Sequence, residues 1–140
     1  MPPESDNSQL TAQIEGFRSK RFECVGGFGA RIDVLTFKDG PDAVVRQRAG
    51  RTKYDPVTLR LTQSGAPALW KWWKTAGEGA DGRRKVTMIL TDARGQALAK
   101  WVLLGCWPRD WWITPIETTD SKAAYAEHVT LVVEDIDLVS

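Results

Sequence analysis

The chain has 140 residues, of which 19 are Lys or Arg and 18 are Asp or Glu, so its formal net charge at pH 7 is +1. This length predicts one domain with a single core, and the near-neutral balance argues against a dedicated nucleic-acid binder, which usually carries a basic excess. Two well-separated cysteines and the lack of an apolar run of about 20 residues indicate a soluble, unexported protein with reduced thiols and no membrane anchor.

The first half of the chain has mostly strand signals. Residues 1–9 are polar and predict an N-terminal arm ahead of a domain over 10–140. Short strands are expected in 10–16 and 21–29, both of which stop at glycines. Residues 30–37 then alternate strictly. One face of this strand carries Ala30, Ile32, Val34 and Thr36, and the other carries Arg31, Asp33, Leu35 and Phe37.

The segment 38–55 is too polar to belong to a core and long for a loop inside a compact domain. Glycine and proline punctuate it, and only residues 43–48 have strand character. Loops of this length are usually functional. We therefore interpret the segment as a protruding loop or hairpin.

One helix is predicted, over residues 64–77, after a strand at 57–61. Ser64 or Gly65 suits its N-cap, and Gly77 suits its C-terminal end. Helical spacing places Leu69, Trp70 and Trp73 on one apolar stripe, which predicts that these three side chains face the core. Trp72 points off that stripe and is expected at a boundary or an interface.

The remaining chain again reads as strands. A hairpin is expected from 83–90 and 97–104, with its turn at Asp92 to Gly95, and a last strand spans 127–138. The total of seven or eight strands and one helix predicts a mainly β fold.

A search for chemistry finds no catalytic, cofactor-binding or metal-binding residues. His128 is the sole histidine, and within an alternating strand it is best interpreted as a surface or cross-strand residue. Cys24 and Cys106 have no histidine partner and fit small core or boundary positions. We therefore predict a protein that is not an enzyme.

Charge is unevenly distributed along the chain. Basic residues concentrate at Lys38, Arg46, Arg48, Arg51, Lys53 and Arg60, and acidic ones at Glu117, Asp120, Glu127, Glu134, Asp135 and Asp137. Complementary patches suit a head-to-tail contact between identical chains. It is equally consistent with the sequence that both patches are solvated or pair within one chain.

The order of these segments resembles the tail tube protein family of contractile phage tails and contractile injection systems. The resemblance rests on "RFECVGGFGARIDVLTFKDG", "AGRTKYDPVTLRL", "LWKWW", "RRKVTMILTDARGQALAKWVLLGCWP" and "AEHVTLVVEDIDL". It implies two packed β-sheets that form a small barrel or sandwich flanked by one helix. It further implies hexameric rings stacked into a tube.

The resemblance also implies partners and residue roles. A sheath would surround the tube, baseplate and cap proteins would close its ends, and a protein toxin or DNA would occupy the lumen, in a particle assembled in the cytoplasm. The inter-subunit residues would be Lys38, Asp39, Asp42, Arg46, Arg48, Arg51, Lys53, Tyr54, Glu127, Glu134 and Asp135. Arg31 and Asp33 would face the lumen or its rim.

Three other functions stay open on the sequence. A monomeric β-sandwich could bind carbohydrate through exposed, coplanar tryptophans, chosen from Trp72, Trp107, Trp111 and Trp112. The tube protein of a type VI secretion apparatus has a related fold. The third is an enzyme whose site the sequence does not reveal.

Overall fold

The computed structural model describes residues 8–38, 40–41, 44–79, 81–117 and 124–139. These residues form nine strands and one helix. The elements are β1 (Gln9–Ile14), β2 (Phe22–Gly26), β3 (Ala30–Lys38), β4 (Val45–Tyr54), β5 (Val57–Gln63), α1 (Trp70–Gly77), β6 (Arg84–Thr91), β7 (Ala97–Ile116), β8 (Ala124–Val132) and β9 (Asp135–Leu138). β1 thus begins at the last residue of the predicted arm, and residues 1–7 lie outside the described part.

Six strands close into an antiparallel barrel. Their order is β6-β1-β2-β5-β8-β7, and a further ladder between β6 and β7 completes the ring. β9 pairs with β7 beyond the end of β8, and β3 pairs with β4 in a separate two-stranded sheet. The predicted mainly β fold, a small barrel with one flanking helix, is confirmed.

Alternation along the strands fills this barrel. Val57, Leu59 and Leu61 of β5 are buried, while Thr58 and Arg60 between them point to the outer side. Phe22 and Met88 are also fully buried, so apolar side chains from several strands meet in one core. Closure leaves the barrel strands few free edges, which protects them from pairing with other chains.

The strand β7 is longer than the sequence indicated, because it continues past Leu104 to Ile116. Gly105 has a φ of +66°, a conformation that favours glycine, and it lies between the two halves of the strand. Pro108 lies where the register with β8 shifts before Asp110, a position at which a proline is tolerated. Gly105 and Pro108 therefore mark a left-handed backbone position and a register shift within one strand.

The helix begins later than predicted, at Trp70, with Leu69 as its N-cap residue and no side-chain cap of its own. Its free amide groups are satisfied from the barrel instead. The carboxylate of Glu127 on β8 accepts hydrogen bonds from the backbone nitrogens of Ala68, at 2.8 Å, and Leu69, at 2.9 Å. In the described residues, no helix has the length and apolar character to cross a membrane.

The predicted facing of α1 is confirmed for Leu69 and wrong for the tryptophans. Trp72 is only 4% exposed, and its indole nitrogen donates to the carbonyl oxygen of Gly82, whereas Trp70 is 43% exposed and Trp73 is half-buried. Leu69 and Trp72 are three residues apart, and so are Trp70 and Trp73. Helical spacing alone therefore allows either pair to face the core. Because Glu127 holds the backbone just before the helix against the barrel, it is Trp72 that points inward.

Glu127 is not an inter-subunit residue, because its side chain is completely buried within the chain. Besides the two backbone amides, it accepts hydrogen bonds from Gln63 Nε2 at 2.9 Å and from Trp111 Nε1 at 2.8 Å. A carboxylate that accepts four hydrogen bonds can be buried at low cost. Through these bonds Glu127 connects β5, β7, β8 and the start of α1.

Trp72→Ala should lower the free energy of unfolding by about 3–5 kcal/mol, because it removes a large buried side chain. Trp70→Ala should cost about 1.5 kcal/mol or less, since Trp70 is itself exposed and loses mainly its ring contacts with the half-buried Trp73 and Trp111. Chemical denaturation of both variants measures the difference. A Trp70 variant as unstable as the Trp72 variant would contradict the assigned facing.

Glu127→Gln should destabilise the chain by at least about 2 kcal/mol, because the new amide group turns hydrogen atoms toward groups that are themselves donors. Denaturation midpoints provide the measurement. The matched control is Glu117→Gln at an exposed position, which should stay within about 0.5 kcal/mol of the parent. Equal midpoints for the two variants would show that Glu127 has no such role.

Candidate functional site

The strands β2 and β5 leave the barrel together, and their ladder continues outside it as β3 and β4. Beyond Gly26 and Thr58, which pair at the end of the barrel ladder, the backbone nitrogen of Asp55 donates to the carbonyl oxygen of Gly29 at 3.0 Å. Gly27 has a φ of +87°, and a Cβ atom there would collide with the carbonyl oxygen of Pro56. The exit from the barrel therefore requires a glycine at this position.

We call β3 and β4 the ribbon. Nearly all its residues are exposed on both faces, with only Asp33, Gly50 and Tyr54 half-buried. The ribbon begins at Ala30, ahead of the predicted segment 38–55, and its second strand runs through all of 45–54. A two-stranded ribbon with two exposed faces is marginally stable in water, so it needs a surface to pack against.

The two faces of the ribbon differ in charge. The register pairs Ala30 with Tyr54, Ile32 with Thr52 and Val34 with Ala49, and a bulge lies in the second strand between the last two pairs. One face therefore carries Ala30, Ile32, Val34, Thr36, Val45, Gln47, Ala49, Thr52 and Tyr54, and has a charge only at its outer end, at Lys38. We call it the uncharged face. The charged face carries Arg31, Asp33, Leu35, Phe37, Arg46, Arg48 and Lys53, and Arg51 lies at the bulge.

Side chains on the charged face neutralise one another near the barrel. Arg31 pairs with Asp55 at 2.6 Å, and Lys53 with Asp33 at 3.2 Å. Farther out, the guanidinium carbon of Arg48 lies 5.6 Å from the centre of the Phe37 ring. Both ion pairs are well exposed, so they orient side chains more than they stabilise the ribbon.

An apolar groove opens where the ribbon diverges from β7 and β9. We call it the fork groove. It has a volume of about 350 Å³, and its walls include Phe28, Tyr54, Trp101, Ile136 and Leu138. Phe28 and Trp101 meet edge to face at 5.1 Å, and the Tyr54 hydroxyl donates to Asp135 Oδ1 at 3.0 Å. These contacts hold the base of the ribbon beside β9 and leave the groove open.

The predicted acidic partners are engaged within the chain. Glu134 forms an ion pair with Arg83 at 2.6 Å, and Asp135 accepts hydrogen bonds from Tyr54 and from the backbone of Ile136. The basic residues Lys38, Arg46, Arg48, Arg51 and Lys53 are all exposed on the ribbon. Asp39 and Asp42 lie outside the described residues.

The four tryptophans that the sequence offers for a sugar platform do not form one in the described part of the chain. Trp72 is buried, and Trp107 and Trp111 are half-buried. Trp112 is 39% exposed, but its ring stacks on the His128 ring at 4.8 Å with an interplanar angle of 3°. The arrangement of coplanar, exposed rings that carbohydrate binding requires is thus missing from these residues.

The two cysteine thiols are poorly suited to nucleophilic catalysis. Burial raises the pKa of the Cys106 thiol to about 12, and it also raises the pKa of Cys24. Neither thiol is therefore activated as a nucleophile. Over the described ranges, no three His, Cys, Asp or Glu side chains cluster as metal ligands.

His128 belongs to a row of side chains on the outer face of the barrel. Neighbouring strands pair Glu23 with Arg60, Arg60 with His128, and His128 with Trp112. Arg60 donates a hydrogen bond to Glu23 at 2.5 Å, while Nδ1 of His128 is buried and has no hydrogen-bond partner among the described residues. Burial, together with the nearby Arg60 charge, lowers the pKa of His128 below 6.5.

The fold and the site define a structural protein built to associate, with a closed barrel and an exposed ribbon. The model of the family described as T4-like virus tail tube protein gp19 matches residues 8–137. The chain belongs to this family. It is a structural tube subunit of a phage tail or a tail-like injection particle, and the resemblance noted in the sequence is confirmed.

Solved structures of contractile injection systems share the fold. A chain of the extracellular contractile injection system PVC, in its extended sheath–tube complex, is 18% identical with a TM-score of 0.71, over 99% of this chain and 90% of that one. A chain of the six-fold symmetrised baseplate of the anti-feeding prophage is 12% identical with a TM-score of 0.67, over 100% and 97%. Hcp1 from Flavobacterium johnsoniae is 10% identical with a TM-score of 0.56, over 93% and 94%. No curated protein sequence gives a match.

The low pKa of His128 predicts a pH dependence. Because the unfolded chain binds this proton more readily than the folded chain, stability should fall as the pH drops below 6.5, the ordinary value. Denaturant midpoints at about pH 7.5 and about pH 5.5 measure the slope. His128→Gln should show a smaller decrease than the parent over this interval. An equal decrease in both chains would assign the effect to other groups.

Proposed function

We propose that copies of this chain form hexameric rings that stack into a hollow tube. A contractile sheath surrounds the tube, baseplate and cap proteins bind its two ends, and a protein or DNA cargo fills its lumen. Support comes from family membership and from the fold shared with chains of sheath–tube, baseplate and cap assemblies of injection systems.

The observation that carries the proposal is the ribbon. Its ladder projects from the barrel, and neither face is covered by the part of the chain that the structure describes. A ring or a filament of identical subunits requires two different surfaces on each subunit that fit each other. The ribbon supplies one of them, because a neighbouring copy provides the packing surface that its own domain lacks.

The basic residues of the segment 38–55 contribute to the same contact in this proposal. Arg46, Arg48 and Arg51 project from the ribbon, where a neighbouring carboxylate can reach them. Glu134 and Asp135 already bind partners within the chain, and so they act there by orienting Arg83 and Tyr54. Exposed charges of this kind set orientation and association rate more than affinity.

Arg31 and Asp33 are placed at the lumen or its rim in this proposal. Both belong to the charged face of the ribbon, and each is paired with an opposite charge, on Asp55 and Lys53 respectively. A wall of paired charges presents little net field, which lets cargo of either sign pass without strong adhesion.

The test replaces residues 32–52 by a short Asn-Gly turn that joins Arg31 to Lys53, which pair in register. The barrel core lies outside this segment, so the variant should fold with nearly the parental unfolding temperature. Electron microscopy and sedimentation should then show monomers where the parent gives rings or tubes.

Arg94→Ser, in the exposed turn between β6 and β7, is the matched control and should assemble like the parent. Tubes formed by the shortened variant would show that the ribbon is only a surface loop. A parent chain that stays monomeric at every concentration would contradict the proposed function itself.

A further inference from the structure

The fork groove has exposed apolar walls beside a free strand edge. Leu138 is 67% exposed and Val139 is 58% exposed. β9 pairs with β7 on one side, and no described strand pairs with its other side. Apolar surface next to an unpaired edge is a typical attachment point for another chain.

The uncharged face of the ribbon has the same need for a covering surface. Ile32 is 56% exposed, Val34 is 61% exposed and Val45 is 53% exposed. Ala30 and Tyr54, at the base of this face, also line the fork groove. The two apolar surfaces are therefore continuous, and each chain presents both.

We infer that the uncharged face of the ribbon packs into the fork groove of a neighbouring copy. This inference rests on the proposed function, because only a repeating assembly of one chain brings the two surfaces together. The occupant of the groove is thus a second copy of the chain. The contact joins two different surfaces and can be repeated from copy to copy.

Dimensions are consistent with this contact. The nine residues of β3 extend roughly 30 Å at about 3.3 Å per residue. A domain of this length has a radius of gyration of about 14 Å, and so a diameter of about 35–40 Å. The ribbon is therefore long enough to lie across most of an adjacent subunit.

Charge decides which face is buried. The uncharged face enters an apolar groove without the removal of ionised groups from water, apart from Lys38 at its outer end. Burying the opposite face would desolvate Arg31, Arg46 and Arg48, which is costly unless each one is paired again. The charged face therefore stays outside the groove and accessible to water, where Arg46 and Arg48 can still meet exposed carboxylates of a neighbour and Arg31 can face the lumen.

The experiment introduces a charge on each of the two surfaces. Val34→Asp on the ribbon and Leu138→Asp in the groove should each reduce the sedimentable polymer by at least about tenfold, because an unpaired carboxylate would be buried in the contact. The matched controls are Leu35→Asp, next to Val34 but on the charged face, and Leu98→Asp, at an exposed position of β7. Both controls should assemble like the parent.

Mixing the two disrupted variants tests the pairing directly. The Val34→Asp chain keeps an intact groove and the Leu138→Asp chain keeps an intact ribbon, so the mixture should contain dimers while each variant alone stays monomeric in analytical ultracentrifugation. Monomers in the mixture would overturn the inference, and so would parental assembly of either variant. Neither outcome affects the proposed function if the parent forms tubes.

Folding is checked by thermal unfolding of each variant before assembly is measured. If one aspartate variant is unfolded, Val34→Thr and Leu138→Ser replace the pair, with weaker polymerisation expected at each position. Unchanged polymerisation of both replacements would again overturn the inference.

Discussion

The structure depends on the point at which the β2–β5 ladder leaves the barrel. Inside the barrel, that ladder buries one face of each strand. Beyond Gly27 it continues as two strands, and the described residues add no third strand or second layer to them. Backbone hydrogen bonds within the ribbon satisfy only its inner edges, and a two-stranded sheet cannot cover its own apolar side chains. The geometry that forms the ribbon thus also creates an exposed apolar surface, and in the proposed assembly another copy covers it.

The residues that stabilise the fold and the residues of the proposed contact lie in separate parts of this chain. The buried core draws on the barrel strands and α1, and among the described residues of the ribbon only Tyr54, at its base, packs against that core. Glu127 accepts four hydrogen bonds, all from groups of its own chain. The start of α1 is therefore held against the barrel without any contribution from a neighbouring copy. A subunit of this design can fold before it assembles, and substitutions in the ribbon can alter assembly without loss of the fold.

The sequence predicted the fold class and the two faces of β3 because both follow from alternation between apolar and polar residues, a local signal. It did not predict that residues 45–54 form one strand, because a ribbon exposed on both faces leaves no apolar pattern. The inward direction of Trp72 and the burial of Glu127 depend on a contact between β8 and the residues before α1, which are 58 or more positions apart. An acidic residue in a strand usually marks an exposed face, and only the four donors around Glu127 reverse that expectation.

The seven tryptophans show how a small barrel divides its largest side chains between these tasks. Trp72 fills the space between α1 and the barrel, and Trp111 donates to Glu127 while it meets the Trp70 ring edge to face at 4.8 Å. Trp101 forms a wall of the fork groove together with Phe28. The indole groups thus support the helix end of the barrel and the groove rather than a ligand platform. A rigid aromatic wall suits a groove that has to keep its shape while it is empty, because indole has few rotatable bonds to order when a partner binds.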